Sequence, residues 1–165
     1  GKPRYIQVEA RADAPWEVVG IIHMLECGCS WNRQILNGEY WNLKTRNWPP
    51  GLGPWDSWEE SAVCGMLRFR KRYPRQWNIG DIGAWFERWN GMGYAARGKH
   101  SPYLWSMSNH GVGTGKYVAD GKYDPNAVSQ QVGAMVILKL IMEAENERAE
   151  RAAASIIMGA PMPGV

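Results

Sequence analysis

"HMLECGCSWNRQILNGEYWNLKT", residues 23–45, begins as the last turns of an amphipathic helix and ends as a polar, glycine-marked segment. Glu26 stands where the helix stops, ahead of Cys27, Gly28 and Cys29. A second carboxylate, Glu39, follows behind Asn37-Gly38. Upstream, Asp13 and Pro15 precede "WEVVGIIHMLE", a cap and first turn for a helix over about 15–27. Downstream, "NGE" and "PPGLGP" are turn signals, and "YWNLKT" between them alternates as a short strand. The stretch therefore predicts a helix running into a small β-hairpin lobe over about 30–56.

The rest of the chain reads as helical. Ser57 caps "WEESAVCGMLRF" with Glu60 at the capping-box position, and Asp81 opens "IGAWFERW", whose Ile82, Trp85, Phe86 and Trp89 share one face. Residues 90–122 are glycine-rich and loop-like, with room for one short helix around Tyr103 to Ser108. Asp124-Pro125 starts the longest helical pattern. Val128, Val132, Met135, Val136, Ile137, Leu138 and Ile141 are apolar on more than one side, which predicts the central buried helix. Beyond it the pattern turns charged, and 159–165 reads as a flexible tail. The expected fold is α+β and mainly helical: one domain over 1–165, with a helical lobe over about 57–155 beside the hairpin lobe.

Composition excludes several classes. With 165 residues the chain can bury a core without disulfides, and three cysteines cannot build a disulfide framework. Cys27, Cys29 and Cys64 read as reduced thiols packed as small hydrophobes. His23, Cys27 and Cys29 lack the four-ligand spacing of a structural zinc site, so neither metal nor cofactor is expected. No apolar run is long enough for a membrane span, and the start of the chain carries no secretory signal pattern. "HGVGTGKY" fails as a phosphate loop, because His110 replaces the first glycine and Tyr117 the hydroxyl residue. The net charge of +3 suits a polyanionic partner. The dense basic run "RFRKRYPR", 68–75, is either a solvated helix end or an attractor for an anionic polymer. No nucleic-acid-binding motif accompanies it.

A carboxylate at a helix C-terminus feels the negative end of the dipole, and apolar neighbours add desolvation in the same direction. Glu26, with Val19, Ile22 and Leu25 close along the helix, is thus either a solvated helix-end glutamate or a general acid held protonated. Glu39 and Thr45 are either ordinary turn and strand residues or the pair that manages a water across a cleft from Glu26. Ten tryptophans and seven tyrosines stand against two phenylalanines. Flat rings with a polar handle match the faces and hydroxyl rim of a sugar, and Trp41, Trp48, Tyr103 and Trp105 are candidates to line such a groove. A protein-binding surface would use the same residue types.

Four stretches carry a family resemblance: "IIHMLECG", "LNGEYWNLKT", "WEESA", and the composite "ERWNGMGY…SPYLWS…GKYVADGKYD". Together they resemble the lysozyme superfamily, particularly phage-type muramidases and small lysozyme-like peptidoglycan hydrolases. The resemblance implies that Glu26 is the general acid, that Glu39 and Thr45 keep the spacing of the phage-type hairpin, and that Asn90, Tyr94, Ser101, Tyr103 and Trp105 line the saccharide cleft. It implies a monomeric hydrolase of bacterial peptidoglycan with no membrane insertion. Such an enzyme is either made in a host cytoplasm and released to the wall or secreted with its signal removed. Departures are the Glu in place of the phage Asp, its greater distance from Glu26, and the cysteine after Glu26. A lytic transglycosylase using Glu26 alone, a chitinase- or chitosanase-like glycosidase, and a non-catalytic wall-binding protein are the alternatives.

Overall fold

Val18, Val19, Ile21, Ile22 and His23 are all fully enclosed, so the apolar helix that ends at Glu26 is buried on several sides. The computed structural model describes residues 1–113, 115–119 and 121–159, with side chains through 155. This buried helix, α2 (Trp16–Cys27), follows α1 (Lys2–Ala12), which lies against both α2 and α3 (Trp58–Arg68). Further along come α4 (Ile79–Asn90), the one-turn α5 (Pro102–Trp105) and α6 (Ala134–Gly159), with α6 packing on α2 and α5. Strands β1 (Lys116–Ala119) and β2 (Lys122–Asp124) form an antiparallel pair. The fold is mostly helical with one small sheet.

A single core joins these elements. Tyr5 and Val8 of α1, Trp58, Ala62 and Met66 of α3, and Ile82, Trp85 and Phe86 of α4 close around α2. Each fully buried aliphatic side chain there stabilises the fold by roughly 1.5–3 kcal/mol relative to exposure. The polar exception is His23. Its Nδ1 accepts from the Tyr5 hydroxyl at 3.0 Å, and its Nε2–H donates to the Ser30 carbonyl at 3.0 Å. Burial pushes its pKa down, keeping the ring neutral. Trp31 and Trp58 pack on the imidazole at 4.6 and 4.5 Å between ring centroids, and Arg4 lies over Trp31 while pairing with Glu59. This cluster locks the chain where it leaves α2.

Three expectations need correction. No strand forms over 40–45: only an isolated bridge, Arg33 to Tyr40, occurs there, and the sheet lies instead in the glycine-rich segment read as loop. The hairpin reading failed because the amides of Trp41, Leu43 and Thr45 each donate to a different turn carbonyl, Asn32, Tyr40 and Leu52, so no strand ladder can form. The last helix starts at Ala134, not at Pro125. Gly133 sits so close to α5 that a Cβ would come within 2.3 Å of the Leu104 carbonyl oxygen, so the helix begins only past this contact. Nor is α6 central. Ala134, Ile137 and Leu138 are buried, but Leu140 and Met142 are exposed, and the rest is a charged surface helix with pairs such as Lys139–Glu143 at 3.4 Å. The enclosed helix is α2.

Smaller differences follow the same physics. Asn78 caps α4 by accepting from the Asp81 amide at 3.0 Å, so the helix opens before Asp81. Of the three thiols, Cys29 is exposed in a left-handed conformation (φ 60°), while Cys27 and Cys64 are half-buried. Among the described residues no His, Cys, Asp or Glu cluster is placed to hold a metal, and no helix is long and apolar enough to cross a membrane. The expected tail lies outside the described residues apart from Gly159.

Candidate functional site

The end of α2 is built by its cap. Gly28 adopts φ 57° and donates its N–H to the His23 and Met24 carbonyls, which terminates the helix one turn after the buried run. Glu26 is thereby fixed on the last turn, half-buried. Its Oε1 accepts two hydrogen bonds, from the Trp89 indole N–H at 3.1 Å and the Tyr103 hydroxyl at 2.9 Å. No hydrogen bond to Oε2 occurs among the described residues. Burial raises the Glu26 pKa and the two donors pull it back in part, leaving it above the usual carboxylate value. Two neutral donors on one oxygen orient the carboxyl and leave the other oxygen free to hold a proton.

Three pieces of chain converge on this turn. Trp89, from α4, also stacks on Phe69 with centroids 4.6 Å apart, and Arg72 of the exposed basic turn lies over Phe69. Gln131, in the segment leading to α6, donates to the Leu25 carbonyl at 2.7 Å. Gly38 comes close enough that a Cβ would lie 3.3 Å from the Glu26 carbonyl oxygen, and its φ of 73° is one that L side chains rarely adopt. The Asn37-Gly38-Glu39 turn therefore touches Glu26.

Glu39 is held within its own loop. Its carboxylate accepts from the backbone N–H of Arg46 (3.1 and 3.2 Å), the N–H of Asn47 (3.2 Å) and the Asn37 side-chain amide (2.9 Å). Thr45 is buried. Its hydroxyl donates to the Pro49 carbonyl at 2.6 Å and accepts from the Leu52 N–H at 3.0 Å, which places it as a brace of the 45–52 loop. Trp41 donates its indole N–H to the Trp31 carbonyl at 2.8 Å and packs on the core. Trp48 is 70% exposed, with the Arg68 guanidinium over its ring.

On the other side of Glu26 lies a cavity of about 480 Å³ between α4, α5 and the β1–β2 hairpin. Asn90, Tyr94 and Tyr103, three of the expected binding residues, line it. Ser101 lies behind them, buried: it caps α5, accepting from the Tyr103 N–H and the Asn90 side chain, both at 3.2 Å. The Tyr94 hydroxyl accepts from the Tyr117 N–H at 3.0 Å, joining the cavity wall to β1. Glu26 is connected to this cavity through Tyr103.

Comparisons with protein-family models, with curated proteins and with solved structures find no match to this chain.

Of the expected binding residues, Trp41 and Trp48 do not line this cavity, and neither does Trp105. It lines a separate groove of about 320 Å³ with Glu87 and Met135, and packs edge-on against His110 with centroids 5.0 Å apart. Tyr103 and Trp105 are two residues apart on the single turn of α5, so their side chains diverge. The sequence reading missed Trp89 as a partner of Glu26, because its spacing with Ile82, Trp85 and Phe86 is that of a core face. Gln131, Lys116 and Tyr117 were also missed, for want of any local pattern in an irregular segment.

Proposed function

We propose that this protein is a glycoside hydrolase of lysozyme type, an N-acetylmuramidase cleaving the β-1,4 bond between N-acetylmuramic acid and N-acetylglucosamine in bacterial peptidoglycan. The observation that carries the reading is the Glu26 carboxyl: shifted upward by burial, pinned through Oε1, free at Oε2, and joined by Tyr103 to a saccharide-sized cavity. A general acid needs this combination of a retained proton and a fixed direction. The resemblance of the Glu26, Glu39 and "SPYLWS" stretches to muramidases supports the substrate class.

In this mechanism Glu26 gives the Oε2 proton to the glycosidic oxygen as the C1–O bond breaks. A water adds to C1 from the opposite face and Glu39 takes its proton; Oε1 of Glu39, which accepts one shared N–H, is the oxygen with capacity for it. Exchange with solvent then restores both groups. Attack from the opposite face inverts the anomeric centre, so the first product from the β-linkage is the α-anomer.

A second reading is favoured by the loop itself. Glu39 and Thr45 are each already hydrogen-bonded to other residues of the loop, which suits a mechanism in which Glu26 acts alone as in lytic transglycosylases. There the sugar's 6-hydroxyl attacks C1 and returns its proton to the Glu26 carboxylate, giving a 1,6-anhydro end. NMR of the first-formed products separates the cases. An α reducing end supports the hydrolase, an anhydro end the single-acid enzyme, and binding without turnover would reduce the protein to a wall-binding module.

A further inference from the structure

The cavity beside Tyr103 is lined by asparagine, tyrosine, serine, glutamine and backbone, and Lys116 is the one charged side chain among its described lining residues. The Lys116 ammonium makes no ion pair among the described residues. Its cross-strand neighbour Asp124 does not line the cavity and accepts from the Asn126 N–H at 2.8 Å. Two other cations at this end, Arg97 and Lys99, lie against tyrosines, and Lys122 on β2 does not line the cavity. Arg97 donates to the Tyr117 hydroxyl at 2.9 Å and lies 4.8 Å from the Tyr123 ring centroid, with Lys99 at 5.8 Å from that ring. Among the described lining residues, the charge at the hairpin end is that of Lys116, and those between it and Glu26 are neutral.

We propose that Lys116 is a specificity residue: it pairs with a carboxylate on the sugar unit seated between α5 and the hairpin, so the site selects an acidic glycan over a neutral one. The proposal rests on the reading of this site as a glycan cleft. An exposed ammonium among lining residues that are otherwise neutral where described gains a charge-assisted hydrogen bond from a carboxylate and a weaker one from a hydroxyl. Loss of such a bond weakens binding by about 10- to 100-fold. The carboxylate has two sources in a wall glycan, the acid borne on the sugar ring and the acids of an attached peptide.

The test compares wild type, Lys116→Ala and Lys116→Arg, each checked for fold by circular dichroism. Four glycans are used: peptide-free strands, strands bearing peptides, peptide-free strands with their carboxylates amidated, and neutral chitooligosaccharide. Binding is read from tryptophan fluorescence and turnover from reducing-end release. The wild type should prefer acidic strands to the amidated and neutral ones by about 10- to 100-fold. Lys116→Ala should abolish that preference through KM with kcat unchanged, and Lys116→Arg should restore it. A loss confined to peptide-bearing strands assigns the carboxylate to the peptide, and a loss on peptide-free strands assigns it to the ring acid. Equal binding of acidic and amidated strands by the wild type, or a preference surviving in Lys116→Ala, overturns the role of Lys116 and leaves the glycan reading standing. A wild type that binds none of the four removes both.

Discussion

Segments 30–56 and 91–133 both reach Glu26, the first through Gly38 at its backbone carbonyl and the second through Tyr103 at its carboxyl. In the first, the two candidate side chains are satisfied within the segment: Glu39 gathers the Arg46 and Asn47 amides, and Thr45 ties Pro49 to Leu52. The second leaves a cavity whose wall carries Lys116, which makes no ion pair among the described residues, beside Asn90 and Gln131. Their amides donate to Ser101 and Leu25, and their side-chain oxygens face no donor among the described residues. Self-satisfied segments are rigid, and open ones have polar capacity left for a ligand. On the proposed mechanism, residues of 30–56 should govern the position and the water chemistry of the site, whereas residues of 91–133 should govern binding and the orientation of the acid.

The sharpest way to break the contrast is at Glu39. Glu39→Gln keeps an acceptor for the loop amides but cannot take a proton, so kcat should fall by about 10²-fold or more with the melting temperature little changed. Normal turnover by this variant would make Glu39 a brace alone and leave Glu26 as the single acting group.

Thr45 should behave as the opposite case. Thr45→Ala strands the buried Leu52 N–H and Pro49 carbonyl, and a stability loss of about 1–3 kcal/mol in denaturant titration is expected. Activity of the folded fraction should change less than for Glu39→Gln. A kcat collapse without loss of stability would return Thr45 to the water-holding role its spacing implied.

Tyr103→Phe probes the second segment with a smaller effect. The Tyr103 hydroxyl favours the charged carboxylate, so its removal lets burial raise the Glu26 pKa further. The acid then stays protonated to higher pH. The basic limb of the kcat profile should move upward, while the plateau falls by about tenfold as one of two orienting bonds is lost. A basic limb that moves down would contradict the assigned direction of the hydrogen bond.

How much of this was legible in the sequence divides along the same line. The α2 helix, its stop at Cys27-Gly28, the Ser57 cap and the α4 face were readable, because each rests on local spacing and on one capping residue. Glu26 was readable as a helix-end carboxylate beside apolar residues. What could not be read depends on contacts far apart in the chain. "YWNLKT" alternates like a strand, yet its amides go to three separate turn carbonyls, Trp41 to Asn32, Leu43 to Tyr40 and Thr45 to Leu52, rather than to one neighbouring strand. The apolar run at 128–141 reads as one helix, but Gly133 against Leu104 delays its start and α2 already occupies the centre. Trp89 and Trp85 have the same helical spacing, and only the fold decides that one faces the core and the other Glu26.

Glu26→Gln, assayed on intact peptidoglycan beside its own stability curve, tests the acid most directly. Because burial raises the folded Glu26 pKa above its unfolded value, near 4.3, the folded state holds the proton where the unfolded state has lost it. Stability from this group is present below the unfolded pKa and is lost as pH rises through the folded one. The glutamine variant should therefore be at least as stable as wild type at pH 7, with the gap closing below about pH 4. Its glycan turnover should fall by about 10²- to 10⁴-fold or more. A folded Glu26→Gln protein that still cleaves glycan at a rate near wild type would contradict Glu26 as the proton donor.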